Sequence, residues 1–369
     1  MRLLLSAIIL VHGLIHLMGF AKAFNLGDMS QLTQPILRPV GLLWLFTGLA
    51  FVAAGVLLVL DQRIWWWIGA PALLLSQGLI FASWRDAKFG TLANLIVLAP
   101  VIAAALDAGP TSYRSQFQAA AREGLARVAE TPLVTEADLS PLPAPVQRYL
   151  RYTGTVGKPR VRSFRAVFTG QFRNGLKARW MPFRSEQYNF WDQPTRVFWM
   201  RASMLGLPVE GLHLFLGPSA TMRIKAASFF EVVNARGPQM NQGETVTLFN
   251  DLCVMAPACL IDRQSIEWEP TGPLEARARF TNQGITIRAL LSFDETGRLI
   301  DFLSDDRFMS ADGKAFTSYP WSTPVREYRD IGGRMLPSAA ELVWHTPEGE
   351  FTYGRFALVE IEYNPTELR

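Results

Sequence analysis

Four apolar stretches, Leu3–Phe20, Val40–Leu60, Ile64–Ala82 and Phe89–Leu106, dominate the first third of the chain, and charged residues lie only between them. Each approaches the ~20 residues that cross a hydrocarbon core of about 30 Å. In lipid such a segment satisfies its backbone polar groups only as a helix. Residues 1–108 are therefore expected as a four-helix transmembrane domain. Trp65, Trp66, Trp67 and Trp84 sit at stretch ends, where amphipathic rings favour the headgroup layer. Arg2 before an apolar run suggests a signal peptide. However, no small-residue cleavage site follows, the run holds two histidines, and three more spans come next. It is read as the first span.

The charge count supports this division. Charged residues make up 18% of 369, against about 25% in a soluble domain. Residues 1–107 hold six basic and four acidic side chains and the rest hold 30 and 28, so each part carries +2 of the net +4. A wholly soluble protein, a disordered tail and a globally basic nucleic-acid binder are excluded. Two cysteines exclude a disulfide-dense scaffold and a cysteine-rich zinc module. Four spans put both termini on one side. Arg2, Arg63, Arg114, Arg122 and Arg127 would lie there, against Lys22, Arg38, Arg85 and Lys88 opposite. That five-to-four split leans towards a cytoplasmic C-terminal part, in a multi-pass protein of a bacterial inner membrane.

His12 and His16 lie four residues apart in the first span and share a helix face. Ionisable groups inside a membrane are costly and point to function. Two histidines are half a metal-ligand set, and the other spans offer no carboxylate or cysteine well inside. Histidines on one face cannot ligate one haem from both sides. The expectation is hydrogen bonding across the bundle to Ser76, Gln77 or Asn94, with a proton- or ligand-linked role left open and no metal or cofactor. Arg85, Asp86 and Lys88 precede the fourth span and read as an interfacial anchor, with lipid headgroup binding as the alternative.

Residues 109–144 read as a helical and proline-rich linker. Tyr113, Phe117, Ala121, Leu125 and Val128 form an apolar stripe over Tyr113–Glu130, suited to the membrane surface or to packing on a soluble domain. Pro141, Pro143 and Pro145 stop helices and stiffen a spacer.

From 145 to 369 the chain turns to short segments rich in Val, Phe, Tyr, Trp and Thr, expected as strands from Val161–Phe172 to Phe351–Tyr363. Asn282-Gln283-Gly284, Asp294–Gly297, Gly332-Gly333 and Pro347–Gly349 punctuate hairpins. Glu244–Leu260 stands out as one helix, with Asn241 as a cap-like start. The expected fold class is an α+β membrane protein: four transmembrane helices, then a large curved antiparallel β-sheet, a half-barrel, with one inserted helix. The concave face of such a sheet needs a filling, either that helix or a ligand.

The run Pro145-Val146-Gln147-Arg148-Tyr149-Leu150-Arg151-Tyr152-Thr153-Gly154, with Val156-Gly157-Lys158-Pro159, resembles the opening of an uncharacterised bacterial protein family. So do Trp180–Phe183 with Glu186–Tyr188, Ala235–Glu244 and Pro347–Phe351. The resemblance covers about 145–363. His12–His16 and Asp86–Thr91 resemble runs in members that carry spans. The family has no assigned activity, so no catalytic residue is carried over. Val325–Pro337 and the two strands after it look like lipoprotein-localisation factors, a resemblance of fold only. It implies a curved half-barrel that holds acyl chains against a helix lid.

No metalloprotease helix, nucleophile elbow, phosphate-binding loop, dinucleotide glycine pattern or paired-cysteine metal motif is present. Cys253 and Cys259 read as small buried packing residues. His213 is a weak candidate general base without an identifiable nucleophile. Asp294, Glu295, Asp301, Asp305 and Asp306 lack calcium-loop spacing and read as a solvated hairpin. Residues 148–184 hold ten Lys and Arg and no acid. They suit either an anionic bilayer surface or pairing with acids on later strands. Aromatic residues and methionines crowd residues 180–204, as core or as the lining of an apolar cavity. The expected function is non-catalytic: a membrane-tethered carrier or binding domain for a lipid or other apolar ligand. Phe183, Trp191, Trp199 and Phe249 would line its cavity, and Arg160, Arg162 and Lys177 would meet headgroups or the bilayer surface. Membrane lipid is the expected partner, with no nucleic acid. An enzyme acting on a lipid-soluble substrate, through His213 or the His12–His16 pair, and a scaffold for a protein partner at a sheet edge are the alternatives.

Overall fold

The computed structural model describes residues 2–126, 131–204, 207–227, 229–310 and 312–369. The chain divides into two compact units, Met1–Ser112 and Tyr113–Arg369.

The first unit contains α1 (Arg2–Phe24), α2 (Arg38–Val59), α3 (Trp65–Ala82), the short α4 (Trp84–Ala87) and α5 (Gly90–Ala108). Four of these helices are long and apolar enough to cross a membrane. Small residues let α1 and α2 touch along their backbones, as lipid-embedded helices favour. A Cβ added to Gly48 would lie 2.8 Å from the Gly13 carbonyl oxygen. The acidic residue of the interfacial turn is spoken for internally. Asp86 accepts hydrogen bonds from Thr33 Oγ1 at 2.7 Å and from the Gln34 amide at 2.8 Å.

The second unit opens with α6 (Tyr113–Leu125), α7 (Glu136–Leu139) and α8 (Ala144–Tyr152). Six strands follow: β1 (Ser163–Phe172), β2 (Met181–Phe190), β3 (Thr195–Met204), β4 (Leu207–Leu216), β5 (Ser219–Ala226) and β6 (Phe230–Arg236). Helix α9 (Pro238–Met255) leads into a 3-10 turn over Pro257–Ile261. The return run is β7 (Ile266–Pro270), β8 (Glu275–Asn282), β9 (Ile285–Phe293), β10 (Leu299–Ser304), β11 (Phe308–Met309), β12 (Thr317–Ser318), β13 (Trp321–Ser322), β14 (Val325–Ile331), β15 (Arg334–Thr346) and β16 (Gly349–Tyr363).

Among the described residues, 14 strands form one sheet in the order β6-β5-β4-β3-β2-β1-β16-β15-β13-β10-β9-β8-β7, with β14 beside β15. The pairings are antiparallel, and Gln283 and Gly284 supply the two positive φ angles, 49° and 80°, of the β8–β9 turn. The chain meanders from the centre to the β6 edge, crosses to the β7 edge and meanders back until β16 pairs with β1. Helix α9 is that crossing. It packs on β5 and β6 from one half and on β9 and β10 from the other, so the sheet curls around it.

The filling of the concave face is therefore α9 itself. From Gly243 to Met255 every residue of α9 is buried. Phe249 is stacked on Phe280 at 4.8 Å and lies against Phe302 at 5.9 Å. Val146, Tyr149 and Leu150 of α8 belong to the same core, and Tyr149 Oη donates to the Cys253 carbonyl at 2.8 Å. The opposite face of the sheet takes α6, whose Tyr113, Phe117, Ala121 and Leu125 bury against Tyr188, Phe190, Val197 and Leu212.

Several expectations need correction. Residues 109–144 are not a separate linker, because the chain from Tyr113 onward is part of the second unit. The α6 stripe packs on the sheet, and its expected extension to Arg127, Val128 and Glu130 lies outside the described residues. The proline run starts a helix rather than only stopping one, since Pro145 sits in the first turn of α8, where a missing N–H costs nothing. Strand β4 was not anticipated, because Pro208 and Gly211 obscure its pattern. Helix α9 begins at Pro238 rather than near Asn241, and Asn241 Oδ1 instead accepts the Ala220 amide at 2.8 Å.

Candidate functional site

Strand alternation and register put Gln187, Asn189, Arg196, Phe198 and His213 on the concave face, towards α9. Helix α9 carries Glu244 and Asp251, seven residues apart and so on one side of it. Arg196 bridges them: Nε donates to Asp251 Oδ2 at 2.7 Å and Nη1 to Glu244 Oε2 at 3.1 Å. Gln187 and Asn189 each donate to the same Asp251 oxygen, at 3.0 and 3.1 Å. His213 Nδ1 lies 3.4 Å from Glu244 Oε1. The Arg196, Glu244 and Asp251 side chains are all below 10% exposed, whereas that of His213 is 20% exposed.

Burial alone would raise the Glu244 carboxyl. The Arg196 guanidinium and the His213 ring outweigh burial and hold it down at about 2, from an ordinary 4.5. A depressed acid stabilises the fold above its unfolded value and loses that contribution as pH falls through its folded value. Stability is therefore expected to fall between pH 4.5 and 2, by on the order of 3 kcal/mol from this group. Unfolding midpoints measured across that range should show the slope, and Glu244→Gln should flatten it.

Away from the charges, the concave face of β2–β6 carries Phe183, Met200, Ala202, Met222 and Ile224. Phe183 is buried against Phe356 at 4.7 Å, but the other four are only half-buried. They form an apolar shelf whose inner end is His213. Two polar atoms beside α9 and the shelf, Arg307 Nη1 and Ser185 Oγ, are buried with no hydrogen-bond partner among the described residues. The segment around β11 and β12 reaches β6, since a Cβ on Gly313 would lie 2.9 Å from Val233 Cγ1.

The sequence pattern of a family of unknown function matches residues 132–356, from just before α7 into β16. The chain belongs to that family, DUF6544. No curated protein matches it. Among solved structures, the chain is similar to a LolA superfamily protein from Nitrosomonas europaea, at 10% identity and TM-score 0.33, covering 59% of this chain and 93% of that one. It is similar to a DUF1329 family protein from Desulfovibrio piger, at 10% identity and TM-score 0.36, covering 60% and 92%. It is also similar to a domain described as outer-membrane lipoprotein-sorting from Vibrio parahaemolyticus, at 10% identity and TM-score 0.32, covering 55% and 85%.

In this DUF6544 member the four expected cavity residues do not line one space. Trp191 and Phe249 both stack on Phe280, at 5.9 and 4.8 Å, within the core around α9. Phe183 lies at the shelf. Trp199 faces the other way, 6.2 Å from Phe117 of α6. The basic run is largely paired. Arg160 bonds Asp138 at 2.5 Å, Arg162 bonds Asp192 at 2.7 Å, and Arg165 bonds Glu186 and Glu360 at 2.6 and 2.8 Å. Lys177 stands exposed in the β1–β2 connection.

The two cysteines are buried as expected, whereas the grouping around His345 was not visible in the spacing. Cys253 and Cys259 are buried free thiols, both pushed up by burial and so poor nucleophiles. The His345 ring spans Ser322 Oγ at 2.8 Å and Glu350 Oε1 at 3.6 Å, the residue order of a nucleophile, base and orienting acid. Ser322 is 1% exposed, so an acyl donor has no approach to its oxygen in this conformation.

Proposed function

We propose that the second unit is a membrane-tethered binding domain for an amphiphilic, lipid-like molecule, held on the open shelf rather than beneath α9. One observation carries the reading: beyond the buried Arg196–Glu244–Asp251 cluster, the concave face keeps Met200, Ala202, Met222 and Ile224 half-exposed beside His213. Contiguous apolar surface of this kind, rimmed by polar groups, suits a ligand, and methionines adapt to flexible chains. The apolar part would lie across these side chains and its polar end beside His213 and Arg307. Of the four expected cavity residues only Phe183 belongs to the shelf; Trp191 and Phe249 pack in the core around α9 and Trp199 on the α6 side. The cytoplasmic side remains the preferred placement, on the basic residues flanking the spans.

Titration of the full chain in nanodiscs with the fluorescent acyl probe cis-parinaric acid tests this. The protein should take up the probe saturably, one per chain above empty nanodiscs. Ala202→Arg should weaken uptake at least tenfold, while Ile300→Arg, an exposed change on β10, should not. Uptake that never saturates, or that ignores Ala202→Arg, overturns the shelf as a site.

A further inference from the structure

The first unit holds a site of its own, independent of the shelf. His12 and His16 meet Ser76 of α3 and Asn94 of α5, and the four polar groups are each at most 5% exposed. Donor and acceptor chemistry fixes the ring protons. His16 Nδ1 can only donate to the His12 carbonyl, at 2.9 Å, so the Nε2 of the neutral ring takes the single Ser76 hydroxyl proton at 2.9 Å, and Ser76 Oγ has none left for Asn94 Oδ1, 3.0 Å away. Both nitrogens of His16 are used. His12 Nε2 donates to Asn94 Oδ1 at 2.9 Å, and Asn94 Nδ2 passes on to Gln77 Oε1 at 3.0 Å. The neutral His12 ring therefore leaves Nδ1 as an acceptor, and Nδ1 has no hydrogen bond among the described residues.

His12 also lines a groove of about 290 Å³ together with Ala7, Ile8, Val11, Ile15 and Ala93. Val11 and Ile15 are 56% and 52% exposed. These are lipid-facing positions of a spanning helix, so the groove opens sideways to the acyl chains. Every other lining group is apolar. His12 is the one polar residue of that lining, and an acceptor nitrogen left unpaired beside hydrocarbon costs free energy that water cannot relieve at that depth. An acyl chain would fill the groove without meeting that acceptor.

We propose that this groove binds a small lipid-soluble molecule bearing one hydroxyl, of the phenol or hydroquinone kind, whose O–H donates to His12 Nδ1. The volume lies at the low end for ligand pockets and suits a single ring, with any tail lying in the bilayer. Asn94, held by Gln77, orients the ring of His12, and His16 with Ser76 backs it.

The test uses the full chain in nanodiscs with 4-octylphenol and its methyl ether, 4-octylanisole, each corrected for empty nanodiscs. The phenol should bind saturably, one per chain, and at least tenfold more tightly than the ether. Ala93→Phe, which fills the groove and leaves the polar network in place, should abolish that binding. His12→Phe should reduce the phenol-to-ether ratio to about one. Equal affinity for phenol and ether in the unaltered protein marks a plain acyl groove and overturns the proposal. Absence of saturable binding, or phenol binding unchanged by Ala93→Phe, overturns it as well.

Discussion

Arg196→Ala should lower the stability of the second unit by on the order of 3–5 kcal/mol, the usual result of leaving buried charges without their partner. Two carboxylates depend on this one guanidinium. Glu244 is 2% exposed and Asp251 6% exposed, so water does not replace Arg196 when it is gone. Among the described residues Asp251 would keep the amide donors of Gln187 and Asn189, and Glu244 the His213 ring and the charge of Arg307. For a unit of this size the loss corresponds to a fall in melting temperature of about 6–20 °C, readable by circular dichroism of the detergent-solubilised chain. The triple change Arg196→Met, Glu244→Gln, Asp251→Asn separates two meanings of the cluster. Removing all the charges together should recover most of the loss, because a buried ion pair adds little net stability over uncharged packing. If Arg196→Ala alone is harmless, α9 is not anchored by charge.

The same cluster shows where sequence reading stops. Alternation in β2 and β3 was legible, and it already separates Arg196 from Trp199: positions three apart on a strand face opposite ways. Placing Trp199 in a concave cavity overlooked that parity. The opposite lesson comes from α9. A helix buried on all sides shows no polar stripe, so spacing alone does not mark Glu244 and Asp251 as a buried pair. Their partner Arg196 sits 48 and 55 positions earlier, across a chain crossing that only the strand order reveals. Of the two readings of the basic run, pairing with acids on later strands is the one the fold realises at Arg165, but spacing could not name the partner. Arg165 pairs with Glu360, 195 residues away, because β16 returns beside β1. By contrast, the partners of His12 and His16 were legible, since four spans in a bundle leave few polar residues to choose from. The groove beside His12 was not, because it depends on which faces of α1 and α5 stay apart.

Gly48→Leu should strongly disrupt the first unit. The α1–α2 contact is backbone against backbone: a Cβ on Gly48 would stand 2.8 Å from Gly13 O and 3.3 Å from His16 Cβ. Backbone cannot rotate out of the way as a side chain can, so the helices must separate. Overpacking in a well-packed core costs about 1–3 kcal/mol even where side chains adjust, and here both the dispersion contact and the polar network are at stake. Moving α1 outward carries His12 and His16 away from Ser76 and Asn94, which breaks the His12–Asn94 and His16–Ser76 hydrogen bonds in hydrocarbon. Gly78→Leu is the matched comparison, because nothing lies within 4 Å of a Cβ there. Heating the two variants in mild detergent and following the folded fraction should show Gly48→Leu lost at much lower temperature, with Gly78→Leu close to the unaltered protein. The phenol preference of the groove should vanish with Gly48→Leu, since the ring that reads the hydroxyl is aimed by that helix contact. Equal behaviour of the two leucine variants would mean that α1 and α2 do not meet at Gly13 and Gly48.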